Sequence, residues 1–190
     1  PASNLNLDLV ERYNKNILTC TRQFAYPAQN GNTIDVVLSL NGIPIVALEL
    51  KNQLTGQSVD NAKRQYMYDR DEKEFCFRFN NRFLVYFAVD LHEVAMTTHL
   101  QGASTYFLPF NQGSNGAGNV GDGGNPSCEN GYATSYLWEH VLSPEMLLSI
   151  FQRYISKQTS ESISLVNGRK VTNKKTILIF SRYNQLDVVE

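Results

Sequence analysis

The sequence predicts an α/β or α+β fold around a mixed central sheet, and three observations predict it. Two strand patterns, "TIDVVLSL" and "IPIVALELK", meet at Asn41-Gly42, a strong hairpin signal. Helical spacing appears before them in "NLDLVERYNKN" and after them in "SVDNAKRQYMYDRD". A second pair of strand patterns, "RFLVYFAVD" and "EVAMTTHL", follows that helix, so a hairpin-based sheet lies between helices.

The elements follow in order. "NLDLVERYNKN" is a short helix, and "ILTCTRQFAY" alternates as a strand. "PAQNGN" carries turn chemistry, the hairpin comes next, and "NQLTGQ" is a loop. The helix after it starts from an N-cap at Gln57-Ser58. The two later strands join through a tight turn at Asp90–His92. Gly113–Gly131 is too rich in Gly and Asn for regular structure and reads as an irregular surface loop. "ATSYLWEHVLSPEMLLSIFQRYISK" reads as two helices broken near Pro144. A basic turn or linker, "NGRKVTNKK", leads to a last strand, "TILIFS", and then to "RYNQLDVVE".

Composition limits the function classes. A chain of 190 residues, 42% apolar and 18% charged, suits one domain with a sizeable core. A net charge of −1 offers no global reason to bind nucleic acid, so any such reason is local. Cys20, Cys76 and Cys128 are scattered without a CxxC, which disfavours a disulfide scaffold or zinc ribbon and fits a reducing compartment. No apolar run is long enough to span a membrane and no signal peptide is visible. The opening "PASNLNLDLVERY", without an initiating Met, is expected of a piece of something longer.

The hairpin carries the chemistry. Residues of one parity share a face of a strand. The even set, Val36, Leu38, Leu40, Val46, Leu48 and Leu50, is large and aliphatic and is expected to pack on the core. The odd set, Asp35, Val37, Ser39, Ile45, Ala47, Glu49 and Lys51, is smaller and carries the ionisable groups. A two-residue loop at Asn41-Gly42 would set Asp35 opposite Leu48 and split the aliphatic set between faces. A three-residue loop, or an equivalent bulge, pairs Asp35 with Glu49, and this register is the expected one. Two facing carboxylates repel, and a divalent cation with a preference for hard oxygen ligands relieves that. Lys51 beside them can orient or deprotonate a water. A solvated carboxylate–lysine cluster at a strand end fits the same spacing, and spacing alone leaves both readings open.

Asp35, thirteen residues, and then Glu49-Leu50-Lys51 resembles the D…ExK core of the PD-(D/E)XK nucleases. The wider wording "TIDVVLSLNGIPIVALELKNQLTGQSVDNAKRQYMYDRD" resembles the N-terminal nuclease region of the restriction (motor) subunit of type I restriction-modification enzymes. The similarity continues through "NRFLVYFAVD", "EVAMTTHL", "STYFLPFNQG", "NGYATSYLWEHVL" and "LLSIFQRYI". The resemblance implies an α/β, restriction-endonuclease-like core whose mixed sheet is built on the hairpin and flanked by helices. It implies Asp35 and Glu49 as Mg²⁺ ligands (Mn²⁺ can substitute), with the Leu50 carbonyl as a further ligand. Lys51 would position or activate the attacking water. Gln65 matches a glutamine that in this family often begins a Q-x-x-x-Y motif; here Asp69 stands at the fourth position and Tyr66 and Tyr68 are nearby, so the tyrosine is displaced.

The tail "IFSRYNQLDVVE" resembles the adenine-recognising region that opens the family's helicase-like motor, with Gln185 as the residue for adenine. The Walker A pattern is absent, so ATP is expected as a cofactor of the full-length subunit only. The implied division is a nuclease domain over 1–170, and a linker and the start of a truncated motor over 171–190. The implied activity is that of a type I site-specific deoxyribonuclease in the prokaryotic cytoplasm. Its partners are double-stranded DNA and the methylation and specificity subunits, and no membrane is among them. Lys63, Arg64 and Tyr68 follow the site and are the candidates for DNA contact. The other basic residues of this stretch, Arg70, Lys73, Arg78 and Arg82, are interleaved with acids and read as a solvated face. His92, His99 and His140 lack metal-ligand spacing, and Trp138 reads as packing. Two alternatives remain: a non-catalytic DNA-binding and coupling module of the same motor, and another PD-(D/E)XK nuclease acting in repair.

Overall fold

The structure is a computed structural model that describes residues 6–26, 31–129, 131–166 and 169–187. Pro27–Asn30 of the "PAQNGN" turn, Asn130 of the Gly-rich segment, the Asn167-Gly168 of "NGRKVTNKK" and the last three residues lie outside the described residues. Among the described residues the elements are α1 (Leu7–Asn14), β1 (Leu18–Ala25), β2 (Thr33–Leu40), β3 (Ile43–Leu50), α2 (Val59–Tyr68), β4 (Val85–Val89), β5 (Val94–Thr97), β6 (Leu108–Pro109), α3 (Pro144–Arg153), β7 (Ile155–Val166), β8 (Arg169–Phe180) and α4 (Tyr183–Asp187).

A six-stranded mixed sheet runs in the order β1-β2-β3-β4-β5-β6, and β7 and β8 form a separate two-stranded ribbon. Strands β1, β2 and β3 are antiparallel neighbours; β3 and β4 are parallel, with α2 in the connection between them; β4, β5 and β6 are antiparallel again. A parallel neighbour requires a crossover, and α2 supplies it.

The hairpin turn is two residues long rather than three. Leu40 pairs with Ile43, and Asn41 and Gly42 both take positive φ, 51° and 81°, as a type I′ turn requires. Asn41 tolerates that backbone, and its Oδ1 accepts a bond from the Ile17 N–H at 2.8 Å. The register is then restored by a bulge. Ser39 pairs with Pro44 but Leu38 pairs with Val46, so Ile45 is the extra residue. Val36 therefore faces Leu48, the last pair of the ladder, and the same register continued by one residue brings Asp35 to Glu49, with which it interacts.

Both faces of the sheet are buried, which the parity reading did not foresee. Val46, Leu48, Phe87, Met96 and Phe110 pack with α3 residues Met146, Leu147 and Ile150 on one side, and the bulge carries Ile45 into this cluster. On the other side Val37 and Ala47 lie beneath Val59, Ala62 and Tyr66 of α2, with Phe77, Phe83 and Tyr86. Leu50, expected in the core with the rest of the even set, is 43% exposed at the strand end.

Pro144 opens α3 at its first turn, where its missing N–H costs nothing, and Leu137–Val141 form a separate wide turn before it. The Gly-rich segment is irregular, closed on itself by Gly113 N–H to Gly124 O at 2.8 Å and Ser114 N–H to Asp122 O at 2.9 Å. The basic stretch expected as turn or linker belongs instead to β8 from Arg169 on, because it pairs along its whole length with β7. Within residues 171–190, Val171–Phe180 continue β8, and Phe180, Tyr183 and Leu186 join the α3-side core. Cys20, Cys76 and Cys128 are free thiols. No helix among the described residues is long and apolar enough to cross a membrane.

Candidate functional site

The site forms where β3 ends. The Lys51 N–H bonds to the Val89 carbonyl at 2.8 Å, one step past the last strand pair, so β4 holds the chain straight through Glu49 to Lys51. Strand alternation then presents Glu49 and Lys51 on the side covered by α2.

Glu49 is fully buried, while Asp35 opposite it is half-buried. Asp35 Oδ2 accepts the Leu50 N–H at 2.8 Å, and its Oδ1 accepts from Gln23 Nε2 at 3.2 Å. Gln23 is held at φ 48°, a backbone region that non-glycine residues seldom occupy, directly across β1–β2 from Asp35. Its Oε1 also accepts from Thr33 Oγ1 at 2.8 Å, so both ends of the Gln23 amide are fixed.

The charge facing Glu49 is an arginine. Arg70 donates to Glu49 Oε1 from Nε at 3.0 Å and from Nη2 at 2.5 Å, and also to the Thr33 carbonyl at 2.7 Å and Tyr26 Oη at 3.2 Å. The expected solvated face thus loses Arg70, which is 4% exposed. Burial dominates the titration of Glu49 and raises it to about 7; Arg70 pulls it down and Asp35 pushes it further up. Burial alone would lower the Arg70 pKa, but contact with Glu49 outweighs this and raises it, so Arg70 stays a cation. The second oxygen, Glu49 Oε2, is buried and receives no N–H donor; the Asp35 carboxyl beside Glu49 raises its pKa by repulsion and by a hydrogen bond through a shared proton.

Gln65 and Lys51 meet. Lys51 Nζ donates to Gln65 Oε1 at 2.6 Å, because one face of α2 lies over the end of β3. The displaced tyrosines part company. Tyr66 is buried, and its hydroxyl donates to the Phe87 carbonyl at 3.3 Å. Burial above all, with help from Glu49, raises its pKa, so it is a neutral packing group. Tyr68 is 65% exposed and lines an open cleft with Lys51, Arg64 and Gln65. Arg64 is exposed there, while Lys63 is engaged by Asp60 at 2.9 Å on the same helix. Gln185 is elsewhere: its Oε1 accepts the Arg182 N–H at 2.9 Å, at the start of α4.

Asp90 fixes α2 over the site. Its Oδ2 accepts the Val59 N–H at 2.8 Å, and its Oδ1 accepts the His92 and Glu93 N–H groups, both at 2.8 Å. Burial would raise its pKa, but these backbone donors and Gln53 outweigh it and hold the carboxyl below the usual range. Ser58 N–H donates to Asn61 Oδ1 at 2.9 Å, completing the predicted N-terminus.

The residues present suit a hard cation. Two carboxylates share one end of the ladder, and one buried oxygen receives no N–H donor, an arrangement that costs free energy unless a ligand takes it up. Among the described residues no group of three or more His, Cys, Asp or Glu is arranged to hold a metal ion, so such a cation would rest on two carboxylates supplemented by backbone oxygen or water. Among the histidines, His99 lies against Phe79 with ring centroids 4.3 Å apart and planes tilted by 35°, and burial lowers its pKa.

Arg70, Gln23 and Asp90 join the site without having been among its expected residues. Arg70 lies five residues after Gln65, off its helical face. Only the chain's exit past Asp69, the residue that ends α2, turns it back toward the sheet. Gln23 gave no local signal, since its role depends on the β1–β2 register. Asp90 had one in its place at the tight turn, where an Asp accepts backbone N–H groups two and three residues on.

A family model described as "Type I restriction enzyme R protein N terminus" matches residues 4–105, which span the whole of this site. No curated protein and no solved structure matches the chain.

Proposed function

The chain belongs to the type I restriction enzyme R protein N-terminus family, and from that premise we propose that it is a PD-(D/E)XK endonuclease domain that hydrolyses phosphodiester bonds of double-stranded DNA. In the longer subunit, cleavage follows ATP-driven translocation, within a complex that includes methylation and specificity subunits. The observation that carries the reading is the set at the end of β3: Asp35 facing Glu49, a buried Glu49 oxygen without an N–H donor, and Lys51 tied to Gln65 beside them.

Asp35, Glu49 and the Leu50 carbonyl would hold Mg²⁺ or Mn²⁺. When bound, the ion supplies Lewis-acid stabilisation of charge on the phosphoryl oxygens. Glu49 is oriented by Arg70 through Oε1, which leaves Oε2 for the ligand. Asp35 is oriented by the Leu50 N–H and Gln23. Lys51 directs its remaining N–H bonds to the attacking water or the scissile phosphate, while Gln65 fixes the ammonium in place. Arg64 and Tyr68 stand in the adjoining cleft as DNA contacts, and Lys63 joins them once released from Asp60. Gln185 serves adenine recognition only in the full-length subunit.

A second reading, a non-catalytic coupling module, is favoured by one observation: Arg70 already neutralises Glu49 without any metal. Calorimetric titration with Mn²⁺ and cleavage by the full-length subunit in its complex separate the two. Binding that is lost in Asp35→Asn, with cleavage lost in Glu49→Ala and Lys51→Ala, supports the nuclease. Undiminished cleavage by Glu49→Ala would sink it.

A further inference from the structure

The β7–β8 ribbon collects charge that the rest of the chain does not share. Two strands of 12 residues each hold five of the chain's 17 Lys and Arg (Lys157, Arg169, Lys170, Lys174, Lys175) and only one of its 18 Asp and Glu (Glu161). The chain as a whole carries −1, so the remainder is acidic and the ribbon is a local cationic arm. Glu161 is bound to Lys174 at 2.7 Å, and no other ribbon lysine is in an ion pair among the described residues.

The register sorts the polar groups. Ser160 faces Lys175 and Ser162 faces Asn173, and by alternation Ser156 and Gln158 share that face, which holds no carboxylate. Lys157, Thr159, Lys170, Lys174 and Thr176 lie on the other face with Glu161. Ser156–Ile163 and Lys170–Lys175 are exposed. The ribbon is anchored at its base, where Leu178 and Phe180 are buried and Thr98 Oγ1 donates to the Leu178 carbonyl at 2.8 Å. A two-stranded ribbon largely exposed beyond its base is marginal by itself, so its composition answers to something other than packing.

Its anchorage separates it from the acidic site. Phe180 packs on Phe87 and Phe110 in mid-sheet, and Leu178 reaches Thr98, just past the end of β5. Glu49 pairs with Ala88, nearer the opposite end of the same sheet. The ribbon is therefore anchored away from the carboxylates.

We propose that the β7–β8 ribbon is a second duplex-DNA contact, binding the phosphate backbone through its lysines and its hydroxyl and amide side chains, apart from the acidic cleft. The proposal rests on the reading of this chain as a domain that acts on DNA. Twelve residues span about 40 Å at the usual rise per residue, roughly one turn of B-DNA. A two-stranded ribbon also fits the major groove, and Ser, Asn, Gln and Lys are phosphate-binding side chains.

The test is fluorescence anisotropy of the 190-residue chain with a 30-base-pair duplex over a series of NaCl concentrations. Each phosphate contact contributes about 0.9 to the slope of log K against log[salt]. The triple variant Lys157→Gln/Lys170→Gln/Lys175→Gln is expected to lose about 2 to 3 from that slope and at least tenfold in affinity at low salt, with an unchanged thermal midpoint. Glu161→Gln, which frees Lys174, is expected to bind more tightly and to steepen the slope by up to about 1. An unchanged slope in both variants overturns the proposal, as does preferential binding of a polyglutamate peptide, which assigns the ribbon to an acidic protein. Mn²⁺ titration keeps the two readings apart: the ribbon variants should bind the ion as the wild type does. A wild type that binds no Mn²⁺, with the ribbon slope as expected, overturns the nuclease reading alone.

Discussion

Replacing Arg70 by Leu strips a buried carboxylate of the donors that hold it. Glu49 Oε1 loses both of its hydrogen bonds, Oε2 already has no N–H donor, and the Thr33 carbonyl and Tyr26 hydroxyl lose a donor as well. Removing one member of a buried ion pair costs about 3–5 kcal/mol, a large part of the 5–15 kcal/mol or so that holds a domain together. The cost depends on pH in a determined direction. Glu49 is raised from 4.5 to about 7 with Arg70 in place. A carboxyl that binds its proton more tightly when folded stabilises the fold below its unfolded pKa, and that contribution is lost as pH rises through the folded value. For Glu49 the difference amounts to about 3 kcal/mol between pH 4 and pH 8. Without Arg70 the carboxyl is raised further, so the variant should lose more stability than the wild type between pH 5 and 8. Urea denaturation at pH 5 and pH 8 measures this. The expected result is a loss of at least about 3 kcal/mol at pH 8 that shrinks clearly at pH 5. The double variant Arg70→Leu/Glu49→Leu should recover most of it, since replacing both partners of a buried pair is often near neutral. A loss under about 1 kcal/mol at pH 8, or one equal at the two pH values, refutes the assignment of Arg70 as the counter-charge of Glu49.

Two further outcomes follow from the same geometry. Asp90→Ala should lower stability by about 3 kcal/mol, since a depressed, multiply bonded carboxylate is lost, and hydrogen exchange at the Val59 amide should accelerate. The wild-type contribution of Asp90 should fade only in acid, as pH falls through its lowered folded pKa. Gln65→Ala should leave the thermal midpoint within about 2 °C and Mn²⁺ affinity unchanged, while kcat of the full complex falls by about tenfold to a hundredfold as Lys51 loses its partner; an unchanged kcat removes Gln65 from the site.

Several features of this protein were readable from sequence because they rest on neighbouring residues. The spans of β1 to β5, the presence of a hairpin at Asn41-Gly42, the N-terminus of α2 at Ser58 and the break at Pro144 are set by backbone propensities and caps that act over a few positions. The pairing of Asp35 with Glu49 was legible for a stronger reason: parity leaves few registers that keep Val36, Leu38, Val46 and Leu48 together. A longer loop and an equivalent bulge both give that register, and Ile45 supplies the bulge. "TILIFS" was readable as a strand and ends β8, but β7 and the first half of β8 escaped because they are mostly polar on both faces, so no burial pattern marks them. The sequence by itself determined the acidic pair, Lys51 and their shared face, since alternation along a strand is a local property. Only the tertiary structure decided that α2 buries that face, that Gln65 meets Lys51, and that Arg70 neutralises Glu49. Those contacts join residues 14 and 21 positions apart, and their existence depends on how α2 crosses the sheet and where the chain leaves it.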